Sequence, residues 1–273
     1  MRLINIRPSR PAVILLAMLP FVLVVLAYVI GSDIRRAENP RDKLLPAPAA
    51  VVERAADLAT EPDRRSRAIL LWADTGASLR RLAIGVGVAA SIALIFGLVI
   101  GLIPLARAGL ASFVSFLSLI PPLALLPILF IVFGLGEVSK VVLIAIGITP
   151  FMIRDLSQRV LEIPQEQIVK AQTLGASTWQ IATRVAMPQI SPRLIQAIRL
   201  SLGPAWLFLI AAEAIAAQEG LGYRIFLVRR YLAMDVIIPY VCWITVLAFF
   251  IDWSLRRLSQ RAFRWAHVEG DSL

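Results

Sequence analysis

The feature that most constrains this chain is a series of long apolar runs. Ala12–Ile30 alone supplies 19 uncharged residues, which as a helix extend about 28 Å, close to the hydrocarbon thickness of a bilayer. The chain is 59% hydrophobic and only 17% charged, whereas soluble domains carry about 25% charged residues. Because a backbone in lipid must satisfy its own hydrogen bonds, these runs are expected to form helices. The sequence therefore predicts an all-α integral membrane protein.

We predict six transmembrane helices, which place both termini on one side of the membrane. The first is expected to remain uncleaved, because a signal peptide has a shorter apolar core; cleavage before Gly31 is the alternative. Small residues in the second predict close helix packing, and prolines interrupt the third. The predicted spans are Ala12–Ile30, Ala83–Ala106, Leu110–Phe133, Val138–Ile153, Leu194–Ala217 and Val236–Leu255.

The remaining segments complete a four-part organisation. Residues 1–31 are expected to hold the N-terminus and the first span, and residues 32–82 a linker. Residues 83–258 are expected to form a core of five spans that includes a polar loop at 164–192, and residues 259–273 a tail. Within the linker, Ala49–Thr60 has the apolar spacing of a short amphipathic helix, either on the bilayer surface or as a solvated linker.

A polar segment, Gln165–Pro192, stands between the fourth and fifth spans. Its pattern predicts two short helices separated by Gly175, which suits the left-handed end of a helix. Ser177 and Gln180 have capping-box spacing, and Pro188 is expected to end the second helix. Leu174, Trp179, Ile181 and Val185 would form an exposed apolar ridge, which indicates an interface or packing against the chain's own helices.

Several function classes are disfavoured by residue content. Cys242 and His267 are the lone cysteine and histidine, too few for a disulfide, a Cys/His metal site or most histidine-based catalysis. The net charge of +10 is spread over helix ends and loops, as expected for contact with lipid headgroups rather than nucleic acid. No phosphate-binding G-x-x-x-x-G-K-[ST] sequence occurs, so any nucleotide would be bound by another subunit.

The polar segment resembles the cytoplasmic EAA loop of bacterial ABC-importer permeases. Val169-Lys170-Ala171 stand at the Glu-Ala-Ala positions, Gly175 at the glycine and Met187-Pro188 at the Leu-Pro. Further stretches resemble permeases of the nitrate/sulfonate/taurine type: Leu45–Pro48, Ile120–Pro127, Phe133–Lys140, Ala212-Glu213 and Gly220–Tyr223.

This resemblance implies a type I ABC-importer permease core of the MetI-like fold in a bacterial inner membrane. It implies two permease chains, expected to be a homodimer, two cytoplasmic ATPase subunits that bind ATP and Mg, and a periplasmic solute-binding protein. The cargo would be a small polar solute such as an oxyanion or sulfonate. Lys and Arg counts are equal on the two sides, so only the resemblance places both termini in the cytoplasm.

The resemblance and the residue pattern together give three groups of candidate residues. ATPase coupling is expected at Ala171, Leu174, Gly175, Ala176, Trp179 and Pro188. The translocation path is expected to include Glu213, Trp206, Ser201, Ser118, Pro121 and Pro122. Contact with the binding protein is expected at Gly220, Gly222 and Tyr223.

Three ionisable residues within the spans leave alternatives open. Glu213 would act as a gate or path residue, or it would have a structural role, either as an interfacial carboxylate or in a helix-packing hydrogen bond. Arg199 would line the path or extend to the membrane interface, and Asp252 is expected to meet Arg256 four residues on.

Two other function classes remain open. An ion-gradient-driven secondary transporter or channel would also have interrupted spans, although it would more often bury charges near the midplane. A membrane-embedded enzyme would need a catalytic cluster that one histidine does not supply.

Overall fold

The structure is a computed structural model that describes residues 9–39, 42–63 and 67–267. These residues form helices and contain no strand, which confirms the all-α prediction. The first residues of the predicted N-terminus and the last of the tail lie outside the described ranges. The helices are α1 (Arg10–Glu38), α2 (Pro48–Thr60), α3 (Leu70–Leu102), α4 (Pro104–Leu117), α5 (Leu126–Phe133), α6 (Glu137–Leu161), α7 (Gln165–Thr173), α8 (Thr178–Gln180), α9 (Met187–Ala216), α10 (Leu221–Arg229) and α11 (Met234–Ala262).

Four helical stretches of the described chain are long and apolar enough to cross a membrane. They are Pro11–Glu38, Leu70–Leu102, Thr178–Ala216 and Met234–Ala262. The pair Pro104–Leu117 and Pro122–Phe133, bent by 82°, makes a fifth if it counts as one span. The remaining predicted span, Val138–Ile153, falls in α6, which carries charges towards both ends. The described residues thus support four to five apolar spans, against the six predicted.

The chain folds as two compact units. The smaller comprises residues 1–69 and 228–241. Within it, the Tyr28 hydroxyl donates to the Pro46 carbonyl at 2.7 Å, and Ser32 Oγ donates to the same carbonyl at 3.1 Å. These bonds tie the end of α1 to the residues just before α2. The helix α2 confirms the short helix predicted from Ala49, while the predicted four-part domain organisation stays a prediction.

The larger unit, residues 70–227 and 242–273, is built on α3, α6 and α9. Small residues at helical spacing let α3 and α6 approach closely. A Cβ at Gly85 would lie 2.8 Å from Ile144 Cβ, and one at Gly97 would lie 2.7 Å from Leu156 Cβ. In lipid, such close packing replaces the hydrophobic effect as the main force between helices. Gly87 faces open space and takes no part in this contact.

The predicted start of the second span, Ala83, is wrong. α3 starts at Leu70 rather than Ala83, so the polar residues before Ala83 are helical. Asp74, Ser78 and Arg81 recur at helical spacing on one face and are buried. Their partners, described below, satisfy them inside the protein, which is why an apparently linker-like stretch is part of the bundle.

The third predicted span, Leu110–Phe133, is not one continuous helix. α4 ends at Leu117, Pro122–Leu125 forms a 3₁₀ turn, and α5 follows. Pro121 is extended, with ψ at 115°, because the proline after it disfavours the helical region. The proline pair therefore breaks the helix rather than only bending it.

Candidate functional site

The polar segment adopts the two-helix form expected from its sequence. α7 ends at Thr173, and Gly175, two residues further on, has a φ of +80°. The Ala176 amide donates to the Ala171 carbonyl at 3.0 Å, the six-residue bond of a Schellman ending. The predicted capping box is present, since the Ser177 amide donates to Gln180 Oε1 at 2.8 Å and the Gln180 amide donates to Ser177 Oγ at 3.3 Å. Local hydrogen bonds thus fix both the turn at Gly175 and the start of α8.

The exposed part of the polar segment is smaller than predicted. Leu174 is 87% exposed and Trp179 is 75% exposed, and they stand on either side of the Gly175 turn. Ala171 and Ala176 are half-buried beside them. Ile181 was expected on the same surface, but it is buried, because it enters a wider helical turn that packs against the bundle.

Pro188 does not end the second helix. Residues Ile181–Ala186 form a π turn, in which the Met187 amide donates to the Ala182 carbonyl five residues back. Such a turn accommodates the missing amide of the following Pro188. Helical structure is continuous over Thr178–Ala216, so the second short helix and the fifth predicted span are one element.

The base of the polar segment is anchored in the bundle. Val160, Ile163, Ala186 and Ile190 form a buried apolar cluster, and Leu94, Leu98, Leu102 and Ile168 pack against it. Gln189 Nε2 donates to Gln167 Oε1 at 2.9 Å, which joins α7 to α9. A force on the exposed turn would therefore reach α9 directly.

At the other end of α9 lies a cluster of charged and polar groups that we call the buried charge cluster, in which Glu137 is the exposed member. Its residues are Asp74, Ser78, Arg81, Glu137, Lys140, Glu213 and Arg224. Arg81 is 1% exposed and Glu213 is fully buried. The Arg81 guanidinium donates to Glu213 Oε1 at 2.7 Å, to both Glu137 oxygens at 2.5 and 2.8 Å, and to the Glu219 carbonyl at 2.8 Å. Lys140 Nζ adds a bond to Glu137 at 2.8 Å. One guanidinium thus joins α3, α6 and α9.

The same cluster holds the connection between α9 and α10. Asp74 Oδ1 accepts from the Gly220 amide and Asp74 Oδ2 from Arg224 Nε, both at 2.9 Å. Ser78 Oγ donates to Glu213 Oε1 at 2.8 Å and accepts from the Leu221 amide at 2.9 Å. Buried charges are tolerable when every group has a partner. Here the partners fix a loop against the start of α3.

The packing around Gly220 and Gly222 leaves no room for a side chain at either position. Gly220 has a φ of +128° and a Cβ there would lie 2.6 Å from the Glu213 carboxyl carbon. A Cβ at Gly222 would lie 2.8 Å from the Ile210 carbonyl oxygen. Both glycines are buried and Tyr223 is half-buried. Their predicted contact with a binding protein stays a prediction, and only Tyr223 offers a side chain for it.

Of the buried charge cluster, only Glu213 was a candidate from the sequence, and Arg81 is the most highly connected of the members that were missed. It falls in a stretch assigned to the periplasmic linker, where its charge indicated exposure. The available signal was the spacing of Asp74, Ser78 and Arg81 directly before an apolar run, which places three polar side chains on one helix face.

Glu213 and Arg199 both have protein partners. Glu213 makes the helix-packing hydrogen bonds that were one of its two expected roles, and its predicted role in the path stays untested. Arg199 binds Asp252 through two bonds, Nε to Oδ1 at 2.7 Å and Nη2 to Oδ2 at 2.9 Å. Asp252 thus joins α9 to α11 through this bidentate contact, and the charge of Arg256, its expected partner, also acts on it.

The other predicted path residues are only partly brought together. Pro122 and Ser201 line a largely apolar cavity of about 600 Å³. Ser118 accepts from Arg154 Nη1 at 2.9 Å, and Pro121 is exposed at the break after α4. Trp206 is buried, and its Nε1 has no hydrogen-bond partner among the described residues. The path assignments stay predictions.

Among the described residues, no three His, Cys, Asp or Glu side chains are placed to hold a metal ion. Several apolar helices long enough to cross a bilayer are the mark of a polytopic membrane protein. The family model described as "Binding-protein-dependent transport system inner membrane component" matches residues 89–264, and the chain belongs to this family.

Curated relatives agree with this family. The chain is 34% identical to the taurine transport system permease protein TauC of Escherichia coli K12 over 81% of the chain and 80% of that protein. It is 30% identical to the bicarbonate transport system permease protein CmpB of Synechococcus elongatus over 69% of the chain and 71% of that protein.

A solved structure shows the same fold. The inward-facing MetNI methionine ABC transporter matches with a TM-score of 0.61 at 22% identity, over 69% of this chain and 94% of the matched chain. The predicted MetI-like permease fold is confirmed.

Proposed function

We propose that this chain is the membrane-spanning permease subunit of an ATP-driven importer, which moves a small polar solute from a periplasmic binding protein into the cytoplasm. Membership of the binding-protein-dependent transport family makes it a transport permease. The observation that carries the ATP-driven part is the anchored turn with Leu174 and Trp179 exposed. An exposed tryptophan next to a rigid turn is typical of a protein interface.

The proposed partner at this turn is a cytoplasmic ATPase subunit that binds ATP and Mg. Two such subunits would bind a pair of permease chains, most simply two copies of this one. Binding of an ATPase at this turn would put the polar segment and, with six spans, both termini in the cytoplasm. The buried charge cluster would then lie at the periplasmic end of the helices, since α9 runs from one to the other.

The continuous helix Thr178–Ala216 supplies the mechanical link. From Trp179 near its start to Glu213 near its end it extends about 50 Å, at 1.5 Å per residue. When ATP draws the two ATPase subunits together, the exposed turn would follow and carry this helix with it. Arg81 and Glu137 would transmit the motion to α3 and α6, so that the three helices move as one body. The solute site, which had faced the cytoplasm, would then open to the periplasm.

The proposed cargo is a small solute bearing an oxyanion, such as a sulfonate or a carboxylate. Support comes from the relatives, which are named for taurine, aliphatic sulfonates and bicarbonate. The binding protein would choose among such solutes, because the largely apolar cavity next to Ser201 offers little to discriminate them.

Reconstitution separates this function from the alternatives. The chain is co-expressed with its ATPase, and uptake into proteoliposomes is measured with ATP or with an imposed ion gradient. We expect a stable complex and uptake that needs ATP hydrolysis. Uptake driven by the ion gradient without an ATPase would instead identify a secondary transporter or channel.

A variant pair tests the role of the exposed turn. Trp179→Ala is expected to weaken ATPase binding by about 30-fold, the effect of losing an interface hot spot of about 2 kcal/mol. Ile131→Ala is the matched control, because Ile131 is 84% exposed on α5, outside the polar segment. Equal ATPase binding by Trp179→Ala and the wild type would count against docking at this turn.

A further inference from the structure

A second cavity, of about 990 Å³, lies between α9, α11 and the 3₁₀ turn Arg264–His267. We name it the basic cavity. Two helix faces supply its polar groups: Gln189, Arg193, Gln196 and Arg199 from α9, and Arg256 and Gln260 from α11. Their spacings of three and four residues place each set on one face of its helix. The cavity shares no lining residue with the apolar cavity beside Ser201.

The charge of the basic cavity is not balanced by its own lining. Three arginines line it and no acidic residue does. Asp252 does not line the cavity; it is held by Arg199 through two hydrogen bonds, and it also interacts with the charge of Arg256. Within the described part of the chain, Arg193 and Arg256 form no ion pair, and Arg193 bonds only to the neutral Gln196 side chain at 3.2 Å. Two guanidinium groups thus face the cavity with donors to spare.

The depth of the cavity narrows the choice of ligand. Arg193 directly precedes the apolar run that starts at Leu194, and Arg256 directly follows the one that ends at Leu255. Both therefore stand where the apolar spans end, at the level of lipid headgroups. Trp265, which also lines the cavity, is a residue type enriched at that level. Basic pockets between transmembrane helices at this depth suit phosphate-bearing headgroups.

We propose that the basic cavity is a binding site for a phosphate group, held by Arg193 and Arg256. Arginine forms paired, charge-assisted hydrogen bonds with phosphate oxygens, and the Gln196 and Gln260 amides would add neutral donors. The phosphate belongs either to a phospholipid headgroup or to a soluble phosphate. Neither Leu174 nor Trp179 of the exposed turn lines the basic cavity.

The test titrates the purified, delipidated full chain with three probes and reads bound ligand by native mass spectrometry. Phosphatidic acid and diacylglycerol with the same acyl chains differ only in the phosphate, and inorganic phosphate supplies the soluble source. The double variant Arg193→Gln, Arg256→Gln is compared with Arg257→Gln, an exposed arginine of α11 that contacts Trp253 and does not line the cavity. Thermal unfolding without ligand checks that all variants fold.

We expect phosphatidic acid to bind at least about tenfold more tightly than diacylglycerol, and the double variant to lose about tenfold of that affinity. Arg257→Gln should stay within about twofold of the wild type. Binding of inorganic phosphate that depends on the same two arginines would support the site and assign it a soluble ligand. The proposal would be overturned if the two lipids bound equally and inorganic phosphate did not bind. It would also be overturned if the double variant and Arg257→Gln lost the same affinity for phosphatidic acid.

Discussion

Replacing Arg81 by methionine is the most informative perturbation of the buried charge cluster. The change removes the guanidinium that donates to Glu213, Glu137 and the Glu219 carbonyl, while Glu213 stays fully buried. Breaking a buried ion pair by removing one partner costs about 3–5 kcal/mol. For a chain of this size, that loss corresponds to a fall in Tm of roughly 6–20 °C. Thermal unfolding of the purified protein in detergent measures it.

The neighbouring residue provides the control. The Arg80 side chain is 62% exposed and lies 3.6 Å from Glu137, so Arg80→Met should cost less than about 1 kcal/mol. The double variant Arg81→Met, Glu213→Met removes both buried charges, and should be less destabilised than the sum of the singles by about 2 kcal/mol. A Tm for Arg81→Met equal to that of Arg80→Met, or strict additivity in the double variant, would refute the reasoning.

Two further predictions concern glycines. Gly97→Val should lower the free energy of unfolding by about 1–3 kcal/mol, because the added Cβ would lie 2.7 Å from Leu156 Cβ. Gly87→Val is the control in the same thermal assay, since a Cβ there meets nothing within 4 Å. An equal loss of stability in the two variants would count against close packing of α3 on α6 at Gly97. Gly175→Val should abolish stimulation of the ATPase while the protein still inserts, since a β-branched residue resists a φ of +80°. Wild-type uptake by the Gly175→Val variant would contradict its coupling role.

The polar segment was largely predictable from sequence because its structure is local. Gly175 and the Ser177 and Gln180 pair act through bonds within a few residues, and these bonds are present as expected. The fate of Pro188 was not predictable in the same way. A proline in a helical pattern usually ends the helix, and the π turn before it depends on how Ile181 and Ala186 pack against the bundle.

The pairing within the buried charge cluster could not be predicted, because the paired residues are far apart in sequence. Arg81 meets Glu213, 132 residues away, and Asp74 meets Arg224, 150 residues away. A single sequence gives the polarity of these side chains but not their pairing, and polarity alone indicates exposure. These pairs explain why α3 starts at Leu70. Charged side chains that are paired inside the protein do not need contact with water, so the residues that carry them can belong to a buried helix.

The central claim is that the exposed turn of the polar segment contacts an ATPase subunit. Site-specific crosslinking tests it most directly, because Leu174 is 87% exposed and Cys242 is the single native cysteine. In a Cys242→Ser background, a crosslinker on Leu174→Cys should join the chain to the ATPase, and Ile131→Cys should not. If Leu174→Cys gives no ATPase adduct in a complex that transports, or reacts only with reagents added outside the cell, the proposed coupling is contradicted.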